Sequence, residues 1–308
     1  MRAFALVLIL PLLASPAMAA QTTTGAQAQS VALHFMPHPG DKLRQTIGLN
    51  MQIDMNMLPG PDMSEEQRSQ LLEKARKMGK GMTMDMKMSL RTEASEADAK
   101  GDYLLHLRGE GGEMNLHMPG QPVKAMPHLM GDIELDALTN TARPEFDILR
   151  VKGGMAALQD PKALDGMARG VIKQAFGAMS ELEGRSMKVG ESAEIPFDMQ
   201  MPITQMPGQT HVNTSVVYTL KSIHQGIATF DTAIKISLGI AASDGDSKKI
   251  NATTTGSGTG HLAYRIADRL PLRHDMDATM HTHMQLPGGA DMQMDMKMQM
   301  IERAERYR

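Results

Sequence analysis

The residues best suited to chemistry in this sequence are methionines that alternate with polar residues in short stretches. Met292-Gln-Met-Asp-Met-Lys-Met-Gln-Met300 contains the five residues Met-Asp-Met-Lys-Met, which recur in Met82-Thr-Met-Asp-Met-Lys-Met88. Weaker versions lie at Met51–Met57 and Asp198–Met201. A thioether is a soft ligand that selects Cu(I), and it is also a flexible apolar group that packs against varied partners. The same residues therefore fit a copper site, an apolar ligand site or an ordinary core in which Met replaces Leu or Val.

Strict alternation with a period of two is typical of a β-strand with one buried and one solvated face. Each stretch is therefore predicted to be a strand whose Met side chains share one face. Met-x-Met on one strand places two Cβ atoms about 6.7 Å apart on that face, and a neighbouring strand can supply a third thioether. The predicted ligand-binding residues are Met51, Met55, Met57, Met82, Met84, Met86, Met88, Met292, Met294, Met296, Met298 and Met300.

Histidine is the other potential soft-metal or zinc ligand, and several of the 11 His lie beside Met. In a strand over 272–286, alternation places His274, Met276, Met280 and Met284 on one face and His281 and His283 on the other. The His281–His283 pair alone offers fewer ligands than a zinc site normally uses. Cu(I) is the one cofactor that the sequence suggests, and its candidate ligands are Met84, Met86, Met294, Met296, His281 and His283.

Signatures of catalysis are missing from the sequence. It contains no H-E-x-x-H, G-x-S-x-G or S-x-x-K motif and no Cys. Gly256-Ser-Gly-Thr-Gly260 lacks the Lys-Ser/Thr that completes a phosphate-binding loop, so it is predicted to be a glycine-bearing bulge or the start of a strand. We therefore expect a protein that is not an enzyme.

Composition narrows the class of partner. A formal net charge of −3 gives no indication of binding to nucleic acid or to an anionic membrane surface. The chain has 31 Met but no Trp, six Phe and four Tyr, and without Cys it has no disulfides. The fold must therefore rest on a core in which Met replaces much of the usual aromatic content.

The N-terminus has the pattern of a secretory signal peptide over residues 1–19. Arg2 is followed by an apolar run from Phe4 to Leu13 and by the small-x-small site Ala17-Met18-Ala19. That run is too short to span a bilayer, for which about 20 residues are needed. We expect a disordered leader over 20–30, a single β-rich domain over 31–308 and a periplasmic or secreted location. The recurring Met strand leaves open two related halves, 31–155 and 190–305.

The fold class predicted is mainly β (α+β), with a long curved antiparallel sheet or partial barrel and two helices packed against it. One helix is predicted over 62–81, with Ser64 as N-cap and Gln67 completing a capping box. The other, over 160–179, begins at Asp160-Pro161. Strands are predicted at 42–57, 82–92, 103–108, 146–151, 192–199, 211–223, 227–238, 258–266, 272–286 and 291–302.

Three short motifs resemble those of a family of uncharacterised secreted bacterial β-rich proteins, a domain of unknown function. They are Gly40-Asp-Lys-Leu-Arg-Gln-Thr46, Lys188-Val-Gly-Glu-Ser192 and Gly258-Thr-Gly260. The resemblance covers most of the chain after the signal peptide. It implies a secreted β protein and assigns no functional residue.

Together these features predict an exported, non-catalytic binding or envelope-associated protein with a Met-lined apolar face for a lipid or other hydrophobic ligand. The first alternative is a periplasmic Cu(I)/Ag(I)-binding protein that uses the Met-x-Met strands. The second is a structural β module with a Met-rich core and no ligand. No transmembrane segment is predicted, and the sequence leaves the oligomeric state open.

Overall fold

The fold is known from a computed structural model. The predicted signal peptide (1–19), the leader up to residue 29 and the predicted helix over 160–179 lie outside the residues that it describes. The described residues are 30–32, 34, 36–61, 63–78, 81–125, 134–142, 146–152, 184–202, 208–243, 249–285 and 289–307.

The described part is mainly β, as predicted, and it contains one helix, α1 (Glu65–Met78). Each of the ten predicted strands is present, most of them within a few residues of the predicted limits. The strands are β1 (Ser30–Ala32), β2 (Lys42–Leu58), β3 (Met82–Ala94), β4 (Asp102–His117), β5 (Lys124–Ala125), β6 (Glu134–Asn140), β7 (Asp147–Lys152), β8 (Ser186–Lys188), β9 (Ser192–Pro202), β10 (Gly208–His224), β11 (Ile227–Ser243), β12 (Lys249–Arg265), β13 (Leu270–Gln285) and β14 (Asp291–Arg306).

Twelve strands form one antiparallel sheet in the order β7-β6-β4-β3-β2-β14-β13-β12-β11-β10-β9, with β5 paired to β4. Most neighbours in the sheet are also consecutive along the chain. The exceptions are β4 with β6, between which the short β5 intervenes, and β2 with β14, which joins the first long strand to the last. The two strands that carry Met-Asp-Met-Lys-Met, β3 and β14, therefore lie on either side of β2. A separate two-stranded sheet pairs β1 with β8.

The sheet bends sharply at β12, where Gly256, Gly258 and Gly260 lie on one face. Alternate strands of a flat sheet are about 9.5 Å apart, but Cα atoms of β11 and β13 approach within 8 Å. A Cβ atom at Gly258 would lie only 2.6 Å from the Asp277 carbonyl oxygen and 2.7 Å from the Ala278 Cβ atom. Only glycine permits this approach, so we call the three residues the glycine bend. They lie inside a continuous strand and not at a strand start or bulge, as the sequence had suggested.

The inner side of the bend carries the core. Large sheets curl to cover an apolar face, and here residues from both sides of β12 belong to one buried cluster. The strands β9 to β12 contribute Ile195, Tyr218 and Phe230, while β1 and β8 add Val31 and Met187. On the other side of the bend, β2, β3, β13 and β14 contribute mostly methionine.

The helix α1 connects β2 to β3 and begins with the predicted capping box. The Ser64 amide donates to Oε1 of Gln67 at 2.9 Å, and the Gln67 amide donates to Oγ of Ser64 at 3.2 Å. Glu65 and Glu66 in the first turn suit the positive end of the helix dipole. Nowhere in the described ranges is a helix long and apolar enough to cross a membrane.

One end of the sheet is held by an ionic cluster that we call the ionic end. Arg306 pairs with the buried carboxylate of Asp41 at 2.7 Å and donates to the Asp268 carbonyl oxygen at 2.9 Å. Arg265 donates to both carboxylate oxygens of Asp268, at 2.7 and 2.5 Å. The hydrogen bond from Arg265, with the charges of Arg265 and Arg306, lowers the pKa of Asp268 against the opposing effect of burial.

Candidate functional site: a methionine-lined inner face

Strand register brings the methionines of five neighbouring strands onto one continuous surface. In β2 and β14, Met57 lies opposite Met292 and Met55 opposite Met294. Met51 lies opposite Met298 on one side and opposite Met84 of β3 on the other. All twelve predicted ligand-binding Met residues lie on this inner side of the sheet. We call the surface the Met face; its members are Met51, Met55, Met57, Met82, Met84, Met86, Met88, Met114, Met276, Met280, Met284, Met292, Met294, Met296, Met298 and Met300.

Four members of the Met face were not among the predicted site residues. Met276, Met280 and Met284 lie on β13, opposite Met300, Met296 and Met292 of β14. Met114 of β4 lies opposite Met86. The alternation within β13 already placed its three methionines on one face. The missing information was the strand order, because the sequence does not say that β13, β14, β2 and β3 are neighbours.

Burial changes along the Met face from one end of the sheet to the other. Met280, Met298 and Met300 are only 1–2% exposed. Five others are half-buried, and all lie where β2 and β13 end and where β3 and β14 begin. This is the opposite end of the strands from the ionic end, so thioethers approach the surface on one side of the molecule. We call these five residues the Met rim: Met57, Met84, Met284, Met292 and Met294.

A polar cluster lies among the buried residues of the inner face. Oε2 of Glu302 is 3.8 Å from Nδ1 of His274, on the neighbouring strand. Gln45 of β2 donates to the other oxygen of Glu302 at 3.1 Å, and Oγ1 of Thr232 lies 3.4 Å from Nε2 of His274. Burial, with a smaller effect of the Glu302 charge, raises the pKa of Tyr218 far above its usual range. The cluster joins strands from both sides of the glycine bend.

The predicted metal ligands do not converge in this structure. Met84 and Met86 on β3 are separated from Met294 and Met296 on β14 by the whole of β2. His281 and His283 lie on the outer face, each beside a carboxylate of β14: Asp295 at 2.5 Å and Asp291 at 3.4 Å.

Histidine and carboxylate side chains, the usual ligands of harder metal ions, also form no metal-binding cluster in the ranges that the structure describes. In the described part of the chain, no group of three or more His, Asp or Glu side chains is arranged to hold a metal ion.

The outer face has a shallow depression of about 310 Å³ above Gly48. Asn50, Asp85, Lys87 and Glu113 line it, and Nδ2 of Asn50 donates to Oδ1 of Asp85. Met86 is the one member of the Met face among the lining residues, and the rest of the Met face lies on the other side of the sheet.

Comparison with known proteins does not assign a family. No family model matches the chain, and no curated protein matches it, so the resemblance to secreted bacterial β proteins stays a prediction. The chain is similar to Pseudomonas aeruginosa OccK5 (OpdH) at 6% identity, covering 89% of this chain and 100% of that one, with a TM-score of 0.25.

Two further solved structures show the same low level of likeness. An outer membrane channel from Pseudomonas putida F1 is 6% identical, with coverage of 92% and 100% and a TM-score of 0.20. The CymD monoaromatic hydrocarbon channel is 7% identical, with coverage of 87% and 90% and a TM-score of 0.21. TM-scores this low do not establish a shared fold, and the function of this chain has to be argued from its own residues.

Proposed function

We propose that this chain is an exported, non-catalytic binding protein whose Met face takes up an apolar ligand such as an acyl chain. The observation that supports the proposal is the Met rim. Five half-buried thioethers border the same end of the sheet, and four of them, all except Met284, pack against the buried core cluster. A ligand that enters at the rim meets apolar surface along its whole length.

Methionine suits such a surface because its side chain is unbranched, has three rotatable bonds and adapts to irregular shapes. A core of Leu and Val is held in well-defined rotamers, whereas a Met surface can repack around an inserted chain. Each CH₂ group that the ligand buries contributes about 0.8 kcal/mol. A ligand with a long hydrocarbon chain is therefore favoured over a small polar molecule.

The two ends of the sheet give the proposed binding a direction. At the ionic end, Arg306 joins Asp41 to Asp268, and Tyr307 stacks against Arg44 and Arg91 with ring-centroid distances of 5.6 and 5.4 Å. These contacts hold the start of β2 and the end of β14 together. The five side chains of the Met rim are uncharged and apolar, so a ligand that enters between them displaces apolar packing.

A pair of lysine substitutions on one strand tests the proposal. Met294→Lys places a charge on the inner face, while Gln293→Lys places the same charge one residue away on the outer face. We expect Met294→Lys to weaken binding of a fluorescent fatty acid by at least about tenfold, because the charge must stay solvated at an apolar surface. Gln293→Lys is the matched control and is expected to bind like the parent chain.

Two further results complete the test. Met294→Leu is expected to keep binding, because Leu is apolar and similar in volume. Mass spectrometry of the chain purified from the envelope is expected to find copurified lipid. Equal affinities of the two lysine variants, or no binding of the fatty acid by the parent chain, would refute the proposed function.

A further inference from the structure

From the strand register we infer a soft-metal site on the Met rim, in which Met57, Met284 and Met292 bind one Cu(I) ion. Met57 lies directly opposite Met292, and Met292 lies directly opposite Met284. Three adjacent strands thus each supply one thioether to a single row. The inference is independent of the proposed apolar ligand, because it needs only these side chains and the rim on which they lie.

The spacing of the row suits coordination by several sulfurs. Residues directly opposite each other on antiparallel strands have Cβ atoms about 4.5–5.5 Å apart. Flexible Met side chains can turn from that distance so that their Sδ atoms meet at one ion. Met294 lies two residues along β14 on the same face and is within reach as a fourth donor.

The donor type selects the metal. Thioethers are neutral and soft, and they select Cu(I) over Zn²⁺, Ca²⁺ or Mg²⁺, which favour imidazole, carboxylate or thiolate ligands. A monovalent ion also costs less to place at an apolar rim than a divalent ion does. Two members of the row, Met57 and Met292, pack against the apolar core cluster.

Accessibility separates this row from a second row of three methionines. Met84, Met51 and Met298 are likewise opposite one another on β3, β2 and β14. Met51 and Met298 are only 4% and 2% exposed, so an ion would have to enter the packed core to reach them. This inner row is therefore a matched control, with the same donors in the same register but with two of its three thioethers closed to solvent.

The test is a competition between the chain and a colourimetric Cu(I) chelator under anaerobic conditions. We expect the parent chain to take one Cu(I), and the variant Met57→Leu/Met284→Leu/Met292→Leu to lose affinity by at least about a hundredfold. The control Met51→Leu/Met84→Leu/Met298→Leu is expected to match the parent. Leu is close to Met in volume, and circular dichroism with urea unfolding establishes that both variants are folded.

X-ray absorption at the copper edge identifies the donors. A shell of sulfur alone is the expected result. A shell containing nitrogen would assign the metal to histidines such as His281 and His283 on the outer face, and it would overturn the inference. Failure of the parent to compete with the chelator, or equal losses in the two triple variants, would overturn it as well. Binding of a fatty acid is measured separately, so either site can fail without the other.

Discussion

His274 and Glu302 are ionisable side chains enclosed among apolar residues, with 5% and 1% of their surface exposed. Removing such groups from water is costly, and the cost is recovered only when good partners are present. Here Gln45 donates to Glu302, while Thr232 lies near the far nitrogen of His274. The pair is therefore tolerated because several strands supply it with polar contacts.

Removing one partner of this pair is expected to be more harmful than removing both. Glu302→Leu removes the carboxylate beside His274 and the acceptor of the Gln45 amide, and it should lower the free energy of unfolding by about 3 kcal/mol. In the double variant His274→Leu/Glu302→Leu, most of that loss should be recovered, because neither ionisable group of the pair remains buried. Urea unfolding of the parent, both single variants and the double variant measures the coupling free energy between the two side chains. Simple addition of the two single losses would contradict the account.

Asp268 at the ionic end should make stability depend on pH in the acid range. Its pKa is lowered in the folded state, chiefly by the hydrogen bond from Arg265. The stabilisation is therefore present above the unfolded pKa of about 3.9 and is lost as the pH falls through the lower folded pKa.

The variant that isolates this effect is Asp268→Asn. It should cost about 1 kcal/mol at pH 6, and the difference from the parent should shrink as the pH falls below about 4. Thermal unfolding across this pH range measures the difference, with Glu194→Gln at an exposed position of β9 as the control. A difference that stays constant down to pH 2.5 would show that the carboxylate charge is not responsible.

Among the elements, β12 decides the shape of the sheet. Its inner face carries glycine at three alternate positions, and the neighbouring strands close over them. The methyl group of an alanine at Gly258 would meet backbone and side-chain atoms of β13 and also Cγ2 of Ile234, at 2.9 Å. The bend thus depends on the absence of side chains along one stripe.

Gly258→Ala is expected to lower the free energy of unfolding by about 2 kcal/mol through overpacking. Gly239→Ala on the adjacent strand β11 is the control, because a Cβ atom there meets nothing within 4 Å. That substitution should be neutral or slightly stabilising, since alanine restricts the unfolded chain. Chemical denaturation compares the free energies of unfolding of the two variants. Equal effects would mean that the close approach of the strands does not cause the destabilisation at Gly258.

Elements with a strong local signal could be predicted from the sequence, and those without one could not. Alternation identified β2, β3 and β14, and the Ser64–Gln67 capping box gave the start of α1. The first half of β12 was missed, because Asn251 to Thr255 is polar and lacks the usual pattern. The short β6 was missed as well, since seven residues next to a Pro-rich stretch gave little periodicity.

For the whole molecule, the decisive contact is the pairing of β2 with β14, which joins residues about 250 positions apart in the sequence. It brings the two Met-Asp-Met-Lys-Met strands together around β2 and so creates the Met face. Sequence alternation predicts which side chains share a face of one strand. It does not predict which strands are neighbours, because pairing over long sequence distances is set by tertiary packing.

The candidate site was therefore predictable only in part. The twelve Met positions and the separation of His281 and His283 from the Met residues of β13 both follow from a period of two. Strand order and register, which the sequence does not reveal, define the rest of the site. They determine the Met rim, the added residues of β13 and the row of Met57, Met292 and Met284. The sequence suggested a sulfur pair within one strand and a third sulfur from a neighbouring strand, whereas the register aligns one methionine from each of three strands in a single row.

The most direct test of the account is hydrogen peroxide footprinting of every methionine, with and without a bound fatty acid. Peptide mass spectrometry measures the rate of sulfoxide formation at each position. We predict fast oxidation at the Met rim, slow oxidation at Met280, Met298 and Met300, and slower oxidation of the rim when the acyl chain is bound. Equal rates at rim and buried positions, or rim rates that the bound fatty acid leaves unchanged, would contradict a Met face that opens at its rim to an apolar ligand.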